Sequence, residues 1–273
     1  MSVVVVTGGA SGIGHALAAA LVARGDTVAV SDLDGDRVAD VANRLTDQGP
    51  GKAFATALDV TDADAVAEHY RSVKAEHGRL DLVFNNAGIA IGGLAEEMTL
   101  DHWNKAIDVN LRGVVHGVHA AYPIMLEQGH GHIVNTASLA GLVPMPIGIP
   151  YTATKHAVVG LSMGLRAEAA VRGVKVSVIC PGFVDTPLLS TANPGLPDTG
   201  LGKDIKGVVQ QVQRRLYTPE ALARDVLRGV TRNKALIVAP ASGRAAWRGA
   251  RVSPSGAVRV AQAAVARYRR DAG

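Results

Sequence analysis

Short apolar runs alternate with longer stretches of helical pattern along most of this chain. Residues 3–6 are all valine, and an unbroken β-branched run suits a strand that is buried on both faces of a sheet. The pattern predicts strands at residues 2–7, 27–32, 52–58, 80–85, 131–137, 174–180 and 235–239. It predicts helices at residues 12–24, 34–47, 62–77, 99–111, 113–128, 150–172 and 218–232. We therefore expect an α/β fold: a single domain with a doubly wound (Rossmann), mainly parallel seven-stranded sheet and helices on both faces.

A glycine-rich turn follows the first predicted strand. Residues 7–14 are Thr-Gly-Gly-Ala-Ser-Gly-Ile-Gly, and an alanine-rich helical stretch comes after them. Gly8 permits a tight turn, while Gly12 and Gly14 let the backbone approach a pyrophosphate at the start of a helix. The second strand ends at Asp32, whose carboxylate can accept hydrogen bonds from a ribose diol. This order of elements predicts a dinucleotide-binding site.

Tyr151 and Lys155 lie about one helical turn apart, so their side chains leave the same face of a helix. At about 4–5 Å and an effective dielectric of roughly 20, the lysine would stabilise a phenolate by about 3–4 kcal/mol before desolvation. We therefore expect the pKa of Tyr151 to fall by about two units, which would make the phenol a usable acid and base near neutral pH. Ser138 precedes Tyr151 by thirteen residues and could hold a substrate oxygen beside that phenol.

These motifs together resemble those of the classical short-chain dehydrogenase/reductase family. Residues 7–14 match its Thr-Gly-x-x-x-Gly-x-Gly pattern, and residues 85–88 match its Asn-Asn-Ala-Gly motif. Pro181-Gly182, with Thr186 downstream, matches its segment after the sixth strand, and the resemblance runs from about residue 2 to 240. It implies a catalytic set made of Asn110, Ser138, Tyr151 and Lys155.

The resemblance also implies how the chain is divided and where a cofactor binds. Residues 1–240 would form the NAD(P)-binding domain, with a substrate lid at about 183–217, and residues 241–273 a basic C-terminal extension. Lys155 would bind the nicotinamide ribose, and Asn110 would lie at a helix kink and hold a water that links Lys155 to solvent. The implied cofactor-binding residues are Gly8, Ser11, Gly12, Ile13, Gly14, Asp32, Leu33, Asp59, Val60, Asn86, Ala87, Gly88, Tyr151, Lys155, Pro181, Gly182, Val184 and Thr186.

Charge favours NAD over NADP as the cofactor. NADP carries an additional 2′-phosphate of roughly −1.5 to −2 charge, which Asp32 would repel. Ser11 and Leu33 stand where NADP-preferring relatives usually carry Arg or Lys. Arg37 is the nearest cation and is expected to be solvated, while His15 could contact a phosphate. We expect NAD, with an NADP-dependent ketoreductase or a non-catalytic dinucleotide-binding protein as the alternatives.

The expected substrate side of the site is rich in aliphatic residues. They occur after the fourth strand, in the loop before Tyr151 and in the lid, and they predict a pocket for a small hydrophobic secondary alcohol or ketone. The residues are Ile89, Ile91, Leu94, Leu142, Val143, Pro144, Met145, Pro146, Ile147, Ile149, Leu188, Leu189, Ile205, Val208 and Val209. Neither Arg214 nor Arg215 can be assigned to a substrate carboxylate from the pattern alone.

Composition indicates the type of domain and the cellular compartment to expect. A chain of 273 residues with 48% hydrophobic and 4% aromatic content fits one α/β domain with an aliphatic core. Its one cysteine, Cys180, excludes an internal disulfide and fits a reducing compartment, so we expect a cytoplasmic protein. We expect no signal peptide, because the first core strand begins at Val3, and no membrane span or metal site.

The end of the chain is basic and amphipathic. Residues 241–273 hold seven Arg and one Asp, and Val258, Ala261, Val265 and Tyr268 fall on one helical face. Such a tail suits an inter-subunit helix, a frayed end, an anionic membrane surface or nucleic acid. We expect the inter-subunit helix and no nucleic acid, because Trp247 would otherwise be exposed. The small residues of helix 150–172 permit close approach of another helix, so we expect a homotetramer, or else a homodimer, through that helix and residues 99–128.

A second enzyme class shares one short motif with this chain. Residues 160–164, Gly-Leu-Ser-Met-Gly, match the Gly-x-Ser-x-Gly nucleophile motif of α/β-hydrolases. That motif requires a strand before the serine and a helix after it, whereas here it falls inside the predicted helix that carries Tyr151. We interpret the small residues as helix packing and expect an oxidoreductase.

Overall fold

Parallel strands form one sheet at the centre of the molecule. The structure, a computed structural model, describes residues 1–200, 206–207, 209 and 215–272. The strands are β1 (Val3–Thr7), β2 (Thr27–Asp32), β3 (Lys52–Ala57), β4 (Leu82–Asn85), β5 (Gly131–Thr136), β6 (Val174–Pro181) and β7 (Leu236–Ala239). They lie in the order β3-β2-β1-β4-β5-β6-β7 with parallel pairing throughout. The order reverses between β1 and β4, which opens a crevice beyond the carboxyl ends of these strands.

Helices cover both faces of the sheet. They are α1 (Gly12–Ala23), α2 (Gly35–Gln48), α3 (Ala63–His77), α4 (Leu100–Ile107), α5 (Gly113–Gln128), α6 (Ile149–Ala170), α7 (Pro219–Thr231), α8 (Ala241–Val252) and α9 (Pro254–Ala272). Buried side chains of α1, α2 and α7 form the core on one face, and those of α3, α5 and α6 form the core on the other. The predicted single-domain doubly wound sheet is confirmed.

The valine run of β1 shows how the sequence produces this two-sided core. Val4 and Val6 face α1 and α2, while Val3 and Val5 face α3 and α5, and all four are buried. Successive side chains of a strand point to opposite faces, so a strand covered on both sides needs an unbroken apolar run. The predicted strand bounds agree with the observed ones to within two residues.

The predicted helices at 99–111 and 113–128 are two parts of one helical run. α4 passes into α5 through a π-helical turn at Asp108–Arg112, so the expected break is a widened turn within a continuous helix. Beyond β7 the tail folds into α8 and α9, with Pro254 at the start of α9. Within the described ranges, no helix is both long and apolar enough to cross a membrane.

Candidate active site

The glycine turn has no room for side chains. Gly8 and Gly12 have φ values of +67° and +53°, which favour glycine. A Cβ on Gly8 would lie 2.8 Å from the Cα of Ala87, and one on Gly14 would lie 2.1 Å from the carbonyl oxygen of Gly8. Among the described residues, Ser11 caps α1 without a side-chain hydrogen bond, and no acidic residue lies in the first helical turn. The turn therefore presents backbone amides at a helix start, as an anionic pyrophosphate requires.

Asn86 follows β4, and its side chain forms hydrogen bonds to the ends of β1 and β5. Its amide donates to the carbonyl oxygens of Thr7 at 3.0 Å and Gly8 at 3.3 Å, and its Oδ1 accepts from Thr136 Oγ1 at 3.2 Å. Thr7 Oγ1 accepts from the backbone N–H groups of Asn86 and Ala87. The segment after β4 is thereby held against the glycine turn. Sequence reasoning placed Asn86 and Ala87 here but gave no role to Thr136, because that role depends on which strands are neighbours.

Asp32 ends β2 beside the glycine turn. Its half-buried carboxylate accepts a hydrogen bond from the backbone N–H of Ala10 at 3.0 Å, while the adjacent Leu33 is 72% exposed. Burial lowers the pKa of His15 from its usual value near 6.5, and the charge of Arg44 acts in the same direction. His15 is therefore mostly neutral at pH 7, contrary to the expectation that it could offer an imidazolium to a phosphate. Asp32 therefore places a carboxylate beside the glycine turn.

Thr186 lies directly against the glycine turn. A Cβ on Gly12 would come within 3.1 Å of the Thr186 side chain. Pro181 ends β6, and the N–H of Gly182 donates to the carbonyl of Ala239 at 2.8 Å. Val184 is buried just beyond. The segment after β6 therefore lies against the start of α1 at Gly12.

Three further expected cofactor residues, Asp59, Val60 and Ile13, lie just after β3 and at the start of α1. Asp59 is exposed, and its Oδ1 accepts from both the N–H and the Oγ1 of Thr61 at 2.9 and 2.8 Å. Val60 is buried, and its carbonyl oxygen contacts His116 Nδ1 at 2.9 Å. The side chain of Ile13 packs against the core. Only its backbone, at the start of α1, is therefore directed toward the proposed cofactor site.

Asn110 is buried in the π-helical turn between α4 and α5. Its Oδ1 accepts from the N–H of Ile89 at 2.8 Å, and its Nδ2 donates to the Ile89 carbonyl at 3.0 Å. A Cβ on Gly88 would lie 3.0 Å from Asn110 Oδ1 and 3.5 Å from Lys155 Nζ. The expected helix kink is therefore this π turn, and Asn110 fixes the loop after β4 beside Lys155.

Ser138, Tyr151 and Lys155 meet at the end of β5. The side chains of Ser138 and Tyr151 are joined by a hydrogen bond, and Ser138 Oγ also accepts from the N–H of Ala140 at 3.1 Å. Lys155 Nζ donates to the carbonyl of Thr136 at 3.1 Å and lies 5.4 Å from the centroid of the Tyr151 ring. The four expected catalytic residues thus lie together, although three different elements supply them.

Burial opposes charge on both Tyr151 and Lys155. It raises the pKa of Tyr151 above its usual value near 10, and the hydrogen bond to Ser138 lowers it only in part. It also lowers the pKa of Lys155 to about 8, an effect that the adjacent Cys180 partly offsets. The expectation that Lys155 would lower the pKa of Tyr151 by two units is therefore wrong for the protein alone. Loss of water around the phenolate outweighs the attraction of a lysine that is itself poorly hydrated.

Aliphatic residues flank the site, but some that were expected there face elsewhere. Ile91 is only 4% exposed, Leu142 packs against the buried cluster around Val158, and Ile149 is 43% exposed. Ile147 has a φ of +59°, which is strained for a β-branched residue. The loop before Tyr151 is thus held in an unusual backbone conformation next to the reacting groups.

Hydrogen bonds hold the expected lid, residues 183–217, at its two ends and in the part that precedes residue 200. Val184 and Tyr217 form an isolated parallel bridge that joins its two ends. Asn193 Oδ1 accepts from the N–H of Gly92 at 3.0 Å, its Nδ2 donates to the Gly92 carbonyl at 2.9 Å, and Thr199 Oγ1 donates to that carbonyl at 2.5 Å. No pattern in the sequence predicted this cluster. Three residues named for the lid region, Ile205, Val208 and Arg214, lie outside the described residues.

Ser162 of the hydrolase-like motif is a buried helix residue. It donates to the carbonyl of Val158 at 2.7 Å and accepts from Asn135 Nδ2 at 2.9 Å. Hydrogen bonds continue from Asn135 to Asn85 and from there to the hydroxyl of Tyr70. The serine is 1% exposed and lies inside α6, so the motif lacks the strand before the serine that a hydrolase nucleophile requires. Packing of another helix against Gly160 and Gly164 stays a prediction, because a Cβ on either would meet no atom of the described residues within 4 Å.

The tail packs on its own chain. Trp247 of α8 is partly buried against the cluster that includes Val114, Val158 and Val238. Arg269 of α9 forms a 2.5 Å ion pair with Glu96. The premise that Trp247 would be exposed without a second subunit is therefore wrong, because β7 and α6 of the same chain cover it.

Comparison with known proteins agrees with this geometry. The family model of the short chain dehydrogenases matches residues 2–196. An uncharacterised oxidoreductase of Staphylococcus aureus (strain MRSA252) is 36% identical over 232 residues, which cover 85% of this chain and 92% of the relative.

Solved structures of short-chain dehydrogenases also superimpose on this chain. A short-chain dehydrogenase/reductase from Burkholderia phymatum in complex with NAD superimposes with a TM-score of 0.81 at 30% identity, covering 90% of this chain and 92% of that one. A short-chain dehydrogenase from Sphingobium yanoikuyae in complex with NADPH superimposes with a TM-score of 0.79 at 27% identity, covering 94% of each chain.

Proposed function

Because the chain belongs to the short-chain dehydrogenase family of oxidoreductases, we propose that it transfers hydride reversibly between a hydrophobic secondary alcohol and its ketone, with NAD as the cofactor. The observation that carries this proposal is the meeting of Ser138, Tyr151 and Lys155 at the edge of the crevice that begins with the glycine turn. Residues 1–240 would form the catalytic domain, with residues 183–217 as its lid.

The residues around the crevice fit a dinucleotide. Gly8, Gly12 and Gly14 leave space where side chains would clash, and the start of α1 offers amides without a competing carboxylate. Asp32 would accept hydrogen bonds from the adenosine ribose, and Thr186 would face the nicotinamide end. The dinucleotide supplies hydride acceptor and donor chemistry when it is bound.

Side chains of this protein would transfer the proton of the substrate hydroxyl group. In alcohol oxidation the phenolate form of Tyr151 would accept the substrate hydroxyl proton as the carbon–hydrogen bond breaks, and in ketone reduction the neutral phenol would donate its proton to the carbonyl oxygen. Ser138 orients the substrate oxygen through its hydroxyl, which already contacts Tyr151. Lys155, held by the carbonyl of Thr136, places positive charge beside the phenol when it is protonated.

NAD is proposed over NADP because the ribose end of the crevice carries a carboxylate without a compensating cation on the glycine turn. Ser11 and Leu33 occupy the positions where a cation would receive a 2′-phosphate, and His15 is mostly neutral. The buried free thiol of Cys180 suits a reducing compartment such as the cytoplasm. A homotetramer is proposed for the assembly.

A substrate screen tests the proposed function. The purified protein is incubated with NAD or NADP and a panel of hydrophobic secondary alcohols, and with NADH or NADPH and the matching ketones. We expect nicotinamide absorbance to change with NAD and to change far less with NADP. Hydrophilic secondary alcohols are tested alongside. Activity only with these alcohols would replace the proposed substrate, and activity only with NADP would replace the proposed cofactor. No activity in a protein that binds NADH would favour a non-catalytic role.

A further inference from the structure

The Ser138 turn, residues 138–143, contains its own hydrogen bonds. Ser138 Oγ accepts from the N–H of Ala140 at 3.1 Å, and the N–H of Gly141 donates back to the Ser138 carbonyl at 2.9 Å. Two further backbone N–H groups of the turn donate to the carbonyl of Leu139. Because a lone pair of Ser138 Oγ is already used within the turn, the direction of this hydroxyl depends on the conformation of the turn.

The backbone of the Ser138 turn lies directly on α6. A Cβ on Gly141 would lie 2.4 Å from the carbonyl oxygen of Lys155 and 3.1 Å from Cγ2 of Val159, so this close approach requires glycine. Gly141 is also buried. The turn that carries Ser138 is therefore in contact with the helix that carries Tyr151 and Lys155.

α8 packs against the same turn. A Cβ on Gly243 would lie 3.6 Å from Cδ2 of Leu139, so the start of α8 lies beside the residue that follows Ser138. One helical turn further along α8, Trp247 packs against the same buried cluster as Leu139. That cluster includes Ala137, the residue before Ser138. Both chain neighbours of Ser138 therefore belong to the cluster against which α8 packs.

α8 is itself attached to the sheet. Arg244 Nη1 donates to the carbonyl of Val238 in β7 at 3.0 Å, and the buried Gly243 lies beside the side chain of Val238. The guanidinium of Arg251 lies 5.7 Å from the centroid of the Trp247 ring, where it covers the outer side chain of the cluster. α8 is therefore a fixed support for the Ser138 turn, although it lies beyond residues 2–196, which the family model matches.

Resting on the proposed function, we propose that α8 belongs to the catalytic domain and that Gly243 and Trp247 are positioning residues for Ser138. Gly243 lets the start of α8 approach Leu139, and Trp247 completes the cluster that contains Leu139. Contacts with α6 and α8 together hold the turn, which keeps the Ser138 hydroxyl within hydrogen-bonding reach of Tyr151. The catalytic domain then ends at residue 252 or later and not at residue 240.

A double-mutant cycle tests whether Trp247 acts through Ser138. Trp247→Ala should lower kcat for the best alcohol of the screen at least about tenfold, with KM for NAD little changed, because the substrate oxygen is oriented less well. In a Ser138→Ala background the same substitution should lower kcat less than about twofold, because the hydroxyl that Trp247 positions is already absent. Equal losses in the two backgrounds would overturn the proposal.

Matched variants separate positioning from misfolding. Trp247→Phe keeps an aromatic ring in the cluster and should recover most of the lost activity, while Arg248→Ala, at an exposed neighbour, should leave kcat unchanged. Gly243→Leu should displace Leu139 and lower kcat, and it replaces Trp247→Ala in the cycle if that variant does not fold. Gly249→Leu is its control, because a Cβ there would meet no atom of the described residues within 4 Å. Equal activity of the two leucine variants would contradict the proposal.

Hydrogen exchange separates this inference from the proposed function, because it requires no substrate. In Trp247→Ala the amides of residues 140–143 should exchange at least about tenfold faster than in the unmutated protein, and in Arg248→Ala they should not. Faster exchange in a protein that oxidises no alcohol would mean that the proposed reaction has failed while α8 still holds the turn. Unchanged exchange in Trp247→Ala would show that α8 does not hold it.

Discussion

Tyr151 and Lys155 share a poorly hydrated site, where burial favours the neutral form of each. The pKa of the phenol is raised and that of the ammonium is lowered to about 8, so their electrostatic attraction does not by itself produce a phenolate at neutral pH. A positive charge introduced next to the ring would shift the balance toward the phenolate. The protonation of this pair is therefore expected to depend on what is bound beside it.

Replacing Tyr151 by phenylalanine tests its role as the proton carrier. Tyr151→Phe keeps the ring and loses the hydroxyl, so kcat should fall by at least about 10³, or roughly 4 kcal/mol. Steady-state kinetics on the best alcohol of the screen provide the measurement. NADH affinity, measured by calorimetry, should remain close to that of the unmutated protein. A variant with near-normal turnover would remove Tyr151 from the mechanism.

Asp32 should decide the choice of dinucleotide. Calorimetry should show NADH binding at least about tenfold tighter than NADPH, because one poorly solvated repulsion easily exceeds 1.4 kcal/mol. Asp32→Ala should narrow that difference. Asp36→Ala, an exposed carboxylate in the first turn of α2, should leave it unchanged. Equal affinities in the unmutated protein would mean that Asp32 does not face the ribose.

His69 should make the fold sensitive to acid. Burial lowers its pKa to about 4, whereas the unfolded chain titrates near 6.5. The folded protein binds fewer protons between these values, so its stability is full above about pH 6.5 and is lost as the pH falls toward 4. In His69→Leu the free energy of unfolding should therefore decrease by about 3 kcal/mol less between pH 6.5 and pH 4 than in the unmutated protein. Urea unfolding at neutral and acidic pH provides the measurement.

His132 provides the matched comparison for His69. Burial also lowers its pKa to about 4, but its Nε2 contacts Ser177 Oγ at 2.8 Å, whereas His69 Nε2 has no hydrogen-bond partner among the described residues. His132→Leu should therefore reduce acid sensitivity and also destabilise the protein at neutral pH. An unchanged pH dependence in His69→Leu would rule out the buried imidazole as its cause.

At the scale of elements, buried hydrogen bonds hold the lid and the loop after β4 together. Asn193 has a φ of +53° and is 5% exposed, and it satisfies both the N–H and the carbonyl of Gly92. The lid and the loop should therefore open together, because neither can move without breaking buried hydrogen bonds.

Asn193 variants test this coupling. Asn193→Ala loses the two hydrogen bonds and strains the backbone, so it should destabilise the protein by about 2–4 kcal/mol and speed hydrogen exchange at residues 90–94. Asn193→Gly relieves the strain but still lacks the amide, so it should recover only part of the stability. Protected exchange at residues 90–94 in both variants would disprove the coupling.

At the scale of the whole molecule, the open face of α6 is the expected surface for assembly. Gly160 and Gly164 are exposed there, and a Cβ on either would meet no atom of the described residues within 4 Å. Met163 of α6 and Val115 of α5, both exposed, add apolar surface to these two helices. Gly160 and Gly164 leave room for another helix, so assembly through α6 stays a prediction.

Light scattering tests the assembly. We expect a mass near four times the 28.2 kDa of one chain. Gly164→Arg should dissociate it without destabilising α6, because glycine is a poor helix former. Gly249→Arg, at an equally open position of α8, should leave it intact unless the basic tail also joins subunits. A mass near 28.2 kDa for the unmutated protein at micromolar concentration would reject the tetramer.

The strands, most helices, the glycine turn and the Tyr151–Lys155 pair followed from the sequence alone, because each is encoded by short-range periodicity or spacing. Apolar runs mark strands buried on both faces, and glycine marks backbone that must turn tightly or approach closely. The strand-end motifs were also predictable, since parallel strands bring their carboxyl ends to one edge of the sheet.

Only the tertiary structure decided the direction of the pKa shifts of Tyr151 and Lys155, the neutrality of His15, and the clusters around Thr136 and Asn193. It also placed Trp247 on its own chain and α8 beside the turn that carries Ser138. These properties depend on desolvation and on contacts between residues far apart in the sequence. Lys155 illustrates the difference: its spacing from Tyr151 is local, but its charge depends on β5, β6 and the loop after β4, which together remove water from it.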